Sequence, residues 1–283
     1  MRLIQRTFAA LVFMLVLGMA GAAPMAFGQE TVAGGQRIYE VRTTEGARYY
    51  GYLQVDEPGR IVLRTPGGAI IELARAAIAS ITESQGRLVG YEFRPEDPNP
   101  TRLFFGPTGR SLRKGEAYFG VYEIVMPFVQ FGVTDRLSIG GGTPLVIGGD
   151  AVVWITPKLQ LFESRGASVS VGTLHFLSEG GFGVAYVAGT YGSRDNAVTV
   201  ALGHTYTGSV EDSTGATMIM IGGELRVSRR LKLITENHFI EGVSLLSGGV
   251  RFLGESLSAD IGLLSPGGAG IAIPMVNFVW KVK

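Results

Sequence analysis

The chain of 283 residues has a formal net charge of +1, which gives no indication of a nucleic-acid partner. It contains no cysteine, and this excludes disulfides, thiolate metal sites and cysteine catalysis. Charged residues make up only 17% of the chain, and its 42 glycines are about twice the ordinary share of ~7%. This composition favours an all-β protein.

Residues 1–28 have the pattern of a secretory signal peptide. Arg2 and Arg6 precede a long apolar run, and small residues at Ala26 and Gly28 provide a cleavage site before Gln29. The alternative is an uncleaved membrane anchor. Beyond this segment no run reaches the ~18 apolar residues of a transmembrane helix. A closed β-barrel would still satisfy every backbone polar group inside a membrane.

Residues 29–93 predict a small β-domain. Turn signals at 45–46, 58–59 and 66–68 separate short runs of strand-forming residues about every ten positions. The spacing resembles SH3-like and Sm-like small barrels, and this resemblance implies a bent five-stranded sheet. Two roles remain open for the domain. One is an adaptor or peptidoglycan-proximal module, and the other is a structural cap on the rest of the chain.

Residues 94–114 predict a linker. The stretch RPEDPNP at 94–100 contains three prolines, and a proline-rich stretch is extended and semi-rigid. We therefore expect a spacer between two domains.

Residues 115–283 alternate apolar and polar side chains over segments of about ten residues. In LSADIGLL (257–264), for example, the leucines and isoleucine share one face, while Ser258 and Asp260 lie on the other. This pattern is typical of an outer-membrane barrel, in which one face of each strand contacts lipid. A soluble β-sandwich also alternates. However, the many charged residues within strands and the small residues on the apolar face favour the barrel.

Short charged turns recur near 135, 165, 194, 229 and 255. Five turns at the periplasmic rim require about twelve strands, because single-chain barrels have an even strand number. The first outer turn is expected near Pro127, and ten or fourteen strands remain open. The outer loops are modest in length, so we expect no large lid or plug folded from them.

The polar face supplies a predicted lumen-facing cluster of mixed charge. Opposite charges in a narrow lumen would form salt bridges and give little selectivity for ions of one sign. The members of the cluster are Glu123, Lys158, Glu224, Arg226, Lys232, Glu236, His238, Arg251, Asp260 and Lys281.

The three histidines offer little catalytic chemistry. Hydrolase sites need a hydroxyl nucleophile within reach of a histidine base, and no serine shares a strand face within two residues of His175, His204 or His238. No metal motif appears. The glycine-rich stretches lack the helix and the GK[ST] sequence of a phosphate loop. We therefore expect no cofactor and no enzymatic activity.

The stretch from Asn99 to Thr108 reads NPTRLFFGPT, and it precedes FGVTDRLSIGGG (131–142) and TPK (156–158). This combination resembles a group of uncharacterised outer-membrane β-barrel proteins, in which an NPTR-x-FF stretch leads into a glycine-rich barrel. The resemblance implies a fold and an outer-membrane location, and no activity is assigned to the group.

Together these patterns predict a small β-domain followed by an outer-membrane barrel. The first function hypothesis is a narrow channel or small-solute porin. The second is a structural or adaptor anchor with a closed, salt-bridged lumen, and the third and weaker one is a lipid hydrolase. The expected partners are outer-membrane lipid, the barrel-assembly machinery, and a periplasmic protein or peptidoglycan. No nucleic acid is expected.

Overall fold

The computed structural model describes residues 37–65, 67–84, 86–89, 92–145, 152–178, 180–207, 215–267 and 270–282. The predicted signal peptide lies outside these ranges. The described residues form β-strands and one short 3-10 turn, Arg75–Ala77. None of their helices has the length and apolar composition needed to cross a membrane.

The strands of the N-terminal part are β1 (Ile38–Thr43), β2 (Arg48–Asp56), β3 (Arg60–Arg64), β4 (Ile70–Ala74), β5 (Ile78–Glu83), β6 (Gly86–Val89) and β7 (Glu92–Pro95). The first five form a small antiparallel sheet in the order β4-β3-β2-β1-β5. Its core consists of Val41, Ile61 and Leu63, which are fully buried. The predicted SH3-like or Sm-like identity of this sheet stays a prediction. A two-stranded hairpin, β6–β7, follows it.

The rest of the chain forms one large antiparallel sheet. Its strands are β8 (Ala117–Tyr122), β9 (Met126–Gly132), β10 (Leu137–Gly142), β11 (Val153–Ile155), β12 (Lys158–Ser164), β13 (Ala167–Leu177), β14 (Phe182–Gly192), β15 (Asn196–Thr207), β16 (Thr217–Ser228), β17 (Leu231–Ile240), β18 (Val243–Leu253), β19 (Leu257–Pro266) and β20 (Ile273–Val282).

This sheet closes into a barrel, because β20 pairs with β8 and β9 pairs with β10. Strands β11 and β12 are two parts of one wall strand, interrupted at Pro157, and both pair with β10 and β13. Counted in this way over the described residues, the barrel has twelve strands. The predicted all-β fold with about twelve barrel strands is therefore confirmed.

The first outer turn differs from the prediction. It lies at residues 123–125, where the N–H of Val125 donates to the carbonyl oxygen of Tyr122 at 3.1 Å. Pro127 lies within β9, and no turn forms at it. The two residues at the centre of the turn, Glu123 and Ile124, have positive φ, so the turn was not recognisable from ordinary turn residues.

The two faces of the barrel wall differ in chemistry. On β19, Ile261 and Leu263 are 52% and 56% exposed on the outside, whereas Ser258 and Asp260 are buried on the inside. Many other outward residues are large, apolar and exposed. A closed barrel that is apolar outside and polar inside fits an outer-membrane location.

Residues 96–112, called here the luminal segment, run inside the barrel. They contact inward side chains of wall strands from β8 round to β18, including Tyr118, Ser170 and Arg251. A segment in contact with so many strands of a closed ring must lie within the ring. The predicted linker is therefore not a spacer. It is buried among side chains of the barrel wall and does not form an exposed connection between two domains.

Candidate functional site: the occupied barrel lumen

The luminal segment turns back at its middle, and its tip is held by one carboxylate. The N–H of Leu103 donates to the carbonyl oxygen of Gly106 at 3.0 Å, which closes a tight loop. The N–H groups of residues 104, 105 and 106 donate to Oε2 of Glu236 at 2.8, 3.0 and 2.9 Å. Glu236, on β17, is only 1% exposed. One wall carboxylate thus satisfies three buried donors that the loop cannot satisfy itself.

Asp97 of the luminal segment lies between two cations of the wall. Lys232 on β17 and Arg251 on β18 are directly opposite residues of an antiparallel pair, where like charges repel. Asp97 Oδ2 lies 2.8 Å from Lys232 Nζ and 3.1 Å from Arg251 Nη1. All three side chains are buried. Because an unpaired buried charge is strongly unfavourable, Asp97 allows both cations to remain inside the barrel.

The charge network continues on both sides of Asp97. Arg251 donates from Nε and Nη2 to the two oxygens of Asp260 at 2.7 and 2.9 Å. Lys232 donates to Glu224 at 2.7 Å, and Glu224 also pairs with Arg110 of the luminal segment. Positive and negative side chains therefore alternate along one continuous row, in the order Asp260, Arg251, Asp97, Lys232, Glu224 and Arg110.

Other polar contacts tie the luminal segment to the rest of the ring. Arg102 Nη2 donates to Oε1 of Gln130 on β9 at 3.1 Å. Lys158 Nζ, from β12, donates to the carbonyl oxygen of Thr101 at 3.0 Å. From another side of the ring, Arg251 donates to the backbone carbonyls of Asn99, Arg102 and Leu103, at 3.0, 3.4 and 2.5 Å. Contacts from several directions leave the segment little freedom to shift within the lumen.

Apolar packing completes the contact between the luminal segment and the wall. Gly109 lies so close to β13 that a Cβ atom there would clash with the carbonyl oxygen of Ser168. Leu103 and Phe104, which are 1% and 0% exposed, enter a cluster with the wall residues Ala188, Ala201, Met220, Ile234 and Met275. The lumen is therefore packed and not merely crossed by the segment.

Asp195 holds the β6–β7 hairpin against the end of the barrel that carries the short turns. It lies between β14 and β15, and its carboxylate pairs with Arg226 at 2.6 Å, with Arg94 at 3.2 Å and with Arg87. Burial acts to raise the pKa of Asp195, but the guanidiniums of Arg226 and Arg87 outweigh it and hold that pKa below its ordinary value. The hairpin is thus fixed by charge at the barrel mouth.

A second contact joins the small sheet to the same end of the barrel. The hydroxyl of Tyr50, on β2, lies 3.2 Å from Glu40 Oε2 and 3.2 Å from Glu255 Oε1 in the turn between β18 and β19. The Tyr50 ring also stacks on Phe93 of β7, with ring centroids 4.4 Å apart. Burial, together with the charges of Glu255 and Glu40, raises the pKa of Tyr50 to about 12.

The predicted lumen-facing cluster divides into groups. Arg226 and Lys281 lie at the barrel mouth, where Lys281 Nζ is 3.2 Å from Glu96 Oε2. His238 Nε2 lies 2.8 Å from Oε1 of Glu236. The members that are buried in the lumen are Lys158, Glu224, Lys232, Glu236, Arg251 and Asp260.

Glu123 is the exception, because it lies in the turn between β8 and β9 and not within a strand. Its Oε2 accepts the N–H of Val276 at 3.4 Å, and its own N–H donates to Oδ1 of the buried Asn277 at 3.3 Å. Its predicted place in the lumen-facing cluster stays a prediction.

Asp97, Arg102 and Arg110 were missed as site residues, because they lie in the predicted linker. One signal was available in the sequence. The run Leu103-Phe104-Phe105 is unsuited to a solvated spacer, since three adjacent large apolar side chains favour burial.

The three histidines lie beside polar side chains of the barrel wall. His175 Nδ1 lies 3.1 Å from the Tyr206 hydroxyl, and His204 is exposed. Among the described residues, no group of three or more histidine, aspartate or glutamate side chains is arranged to hold a metal ion. The absence of enzymatic activity and of a cofactor stays a prediction.

No family model and no curated protein sequence matches the chain. Similar solved structures include the KdgM porin in complex with disordered oligogalacturonate, at 6% identity and a TM-score of 0.48, over 59% of this chain and 98% of that one. The NanC porin matches at 7% identity and a TM-score of 0.43, over 59% and 98% of the two chains. A loop L8 deletion mutant of OmpT, an outer membrane protein of Vibrio cholerae, matches at 13% identity and a TM-score of 0.34, over 87% and 97%. At these identities and TM-scores, the comparisons carry no information on what this chain binds or transports.

Proposed function

We propose that this protein is an outer-membrane barrel closed by its own luminal segment, and that it anchors the small sheet at the periplasmic face. The observation that carries the proposal is the position of Asp97 between Lys232 and Arg251. The wall by itself places two cations opposite each other. Only with the luminal segment in place does each of them have its full set of acidic partners.

Energetics favour the closed state. Removing one partner from a buried charge pair costs about 3–5 kcal/mol. Withdrawing the luminal segment would remove Asp97 and Arg110 from the row of charges together. It would also take three N–H donors away from Glu236, whose other oxygen lies next to His238. Water entering the lumen would offset part of this cost, so a closed resting state is the expected one.

The anchoring role is supported by the contacts at the barrel mouth. Asp195 and Glu255 lie in two different short turns, and they bind the β6–β7 hairpin and β2 respectively. Glu255 thus contacts the small sheet directly, while Asp195 holds the hairpin on whose Phe93 the Tyr50 ring of the small sheet stacks. The sheet would there meet a periplasmic protein or peptidoglycan, whereas the apolar outer wall would contact lipid.

A porin-like channel is the second candidate, and one observation favours it. If the luminal segment left the barrel, side chains of both signs, among them Lys158, Glu224 and Asp260, would line a polar path. The same barrel would then conduct small solutes with little preference for charge.

Planar-bilayer recordings of the refolded mature protein separate the two candidates. A closed anchor predicts a silent wild type. It also predicts steady openings in a variant whose residues 96–112 are replaced by a glycine-serine segment of equal length. A matched control replaces residues 67–84 of the small sheet in the same way and should stay silent, because the lumen is unchanged. Steady conductance by the wild type would favour the channel and contradict the closed anchor.

A further inference from the structure

The barrel wall is unusually low at one place on its outer rim. Strands β8 and β9 have 6 and 7 residues, whereas the neighbouring β20 has 10. A membrane-spanning strand needs about 9–11 residues. With a rise of about 3.3 Å per residue and a tilt of about 40°, β8 climbs about 15 Å and β20 about 25 Å. The tip of the β8–β9 hairpin thus ends about 10 Å below its neighbour.

The pairing between β20 and β8 shows the same difference in height. The last pair between β20 and β8 is Asn277 with Tyr122. From Val276 to Ile273, β20 continues outward, and among the described residues no strand pairs with it on that side. The hairpin tip therefore lies beside the middle of the wall and not at its edge.

The tip exposes large apolar side chains and is conformationally strained. Glu123 and Ile124 have φ of 49° and 66°, values that favour asparagine or glycine and disfavour a β-branched residue. Ile124 and Val125 are 65% and 49% exposed, and the adjacent Leu145, whose N–H donates to the carbonyl oxygen of Val125 at 2.7 Å, is 62% exposed. Such a turn is poorly suited to water. In hydrocarbon, however, its exposed side chains would be solvated well.

The hairpin formed by β17 and β18 gives an internal comparison. Its turn also has two central residues with positive φ, but these are Glu241 and Gly242. Its strands have 10 and 11 residues, enough to reach the outer surface. Both turns begin with a glutamate, so they differ at the second central residue, which is Gly242 in the tall hairpin and Ile124 in the short one. The short hairpin therefore exposes a large apolar side chain where the tall hairpin has glycine.

The backbone N–H groups at the point where β8 ends below β20 also suit a medium without water. The N–H of Val276 donates to Oε2 of Glu123 at 3.4 Å, and the N–H of Glu123 donates to Oδ1 of Asn277 at 3.3 Å. Pro274, further along the same edge of β20, has no N–H. Unpaired backbone donors are strongly disfavoured in hydrocarbon, and these groups are either bonded or absent.

We propose that the surface formed by Ile124, Val125 and Leu145, called here the rim notch, binds acyl chains of outer-leaflet lipid. The bilayer would then cover the hairpin tip and be locally thin above it. The inference rests on the proposed outer-membrane location. It adds a defined lipid-contact site on one side of the barrel, where hydrocarbon lies directly over the hairpin.

Single-tryptophan variants in vesicles of brominated phosphatidylcholine test the proposal. Trp154 and Trp280 are first replaced by phenylalanine, and Val125→Trp is then compared with Val243→Trp. Both valines directly follow a turn with two positive-φ residues, which makes them a matched pair. We expect acyl-chain bromines to quench Val125→Trp at least twofold more strongly than Val243→Trp.

A third variant separates failure of the inference from failure of the membrane location. Ile261→Trp lies on the outer wall, midway along β19, and should be strongly quenched. If Ile261→Trp is quenched but Val125→Trp is quenched no more than Val243→Trp, the rim notch is not a lipid site. A second protein copy seated on the notch would give the same refuting result. If Ile261→Trp itself is not quenched, the outer-membrane location fails, and the inference fails with it.

Discussion

Replacing Asp97 by asparagine should release the luminal segment from the barrel. The substitution keeps the size of the side chain but removes the negative charge between Lys232 and Arg251, which lie 2.8 and 3.1 Å from its Oδ2. Two buried cations would then face each other across β17 and β18. The closed state should lose stability relative to the state in which the segment is withdrawn.

The structure allows the size of this effect to be worked out. Breaking a buried ion pair costs about 3–5 kcal/mol. Lys232 keeps Glu224 as a partner and Arg251 keeps Asp260, so the lower end of that range applies. A cost of about 3 kcal/mol corresponds to about a 100-fold larger population of the withdrawn state, since each 1.4 kcal/mol is a factor of ten.

Thiol labelling measures this population directly. The chain has no cysteine, so Thr108→Cys introduces a unique thiol at a position that is 1% exposed. A hydrophilic maleimide reaches it only when the luminal segment leaves the lumen. Combined with Asp97→Asn, the labelling rate of reconstituted protein should rise about 100-fold, in line with the population change.

The control variant is Glu57→Gln, which also removes one negative charge but from a side chain 55% exposed in the small sheet. Its labelling rate should equal that of the Thr108→Cys parent. A change of less than twofold in the Asp97→Asn variant would refute the assignment of Asp97 as the residue that holds the segment.

Three further outcomes are expected. Glu236→Gln weakens three charge-assisted bonds to the tip of the luminal segment. The labelling rate of the Thr108→Cys thiol should therefore rise about tenfold, and an unchanged rate would contradict the contact. Gly109→Ala places a methyl group against the carbonyl oxygen of Ser168. This overpacking should destabilise the closed state by about 1–3 kcal/mol and so increase the labelling rate. The barrel itself should keep its heat-modifiable migration on gels. Because the pKa of Tyr50 is raised from 10.0 to about 12, its contact with Glu255 should stabilise the docked sheet fully below pH 10 and be lost as the pH rises through about 12. An absorbance titration at 295 nm should therefore show a late tyrosine that disappears in Tyr50→Phe, and no difference between the two titrations would count against the contact.

The barrel could be predicted from the sequence because the alternating segments and charged turns that indicate it are local patterns. Each charged turn lies between two alternating segments, and the parity rule converts five such turns into twelve strands. The prediction of turns from residue type was wrong at one place. The pair Glu123-Ile124 has none of the residues that usually mark a turn, and Pro127 is the nearest residue of that kind.

The position of the luminal segment inside the barrel could not be predicted from the sequence, because it depends on contacts between residues far apart in the chain. Asp97 and Lys232 are separated by 135 positions and Asp97 and Arg251 by 154, and nothing local links them. Prolines that favour an extended chain suit a spacer and an inserted segment equally well. The wall charges Glu224, Lys232, Arg251 and Asp260 were visible in the sequence, but their partners Asp97 and Arg110 lay in a stretch that was predicted to be a spacer.

Hydrogen exchange of the wild-type protein in lipid nanodiscs tests the central claim most directly. The N–H groups of residues 104, 105 and 106 donate to one buried carboxylate, so exchange in residues 96–112 should be as slow as in strands β16 to β18. Exchange of these amides within seconds, at the rate of an unstructured chain, would show that the segment lies outside the barrel and would contradict the account.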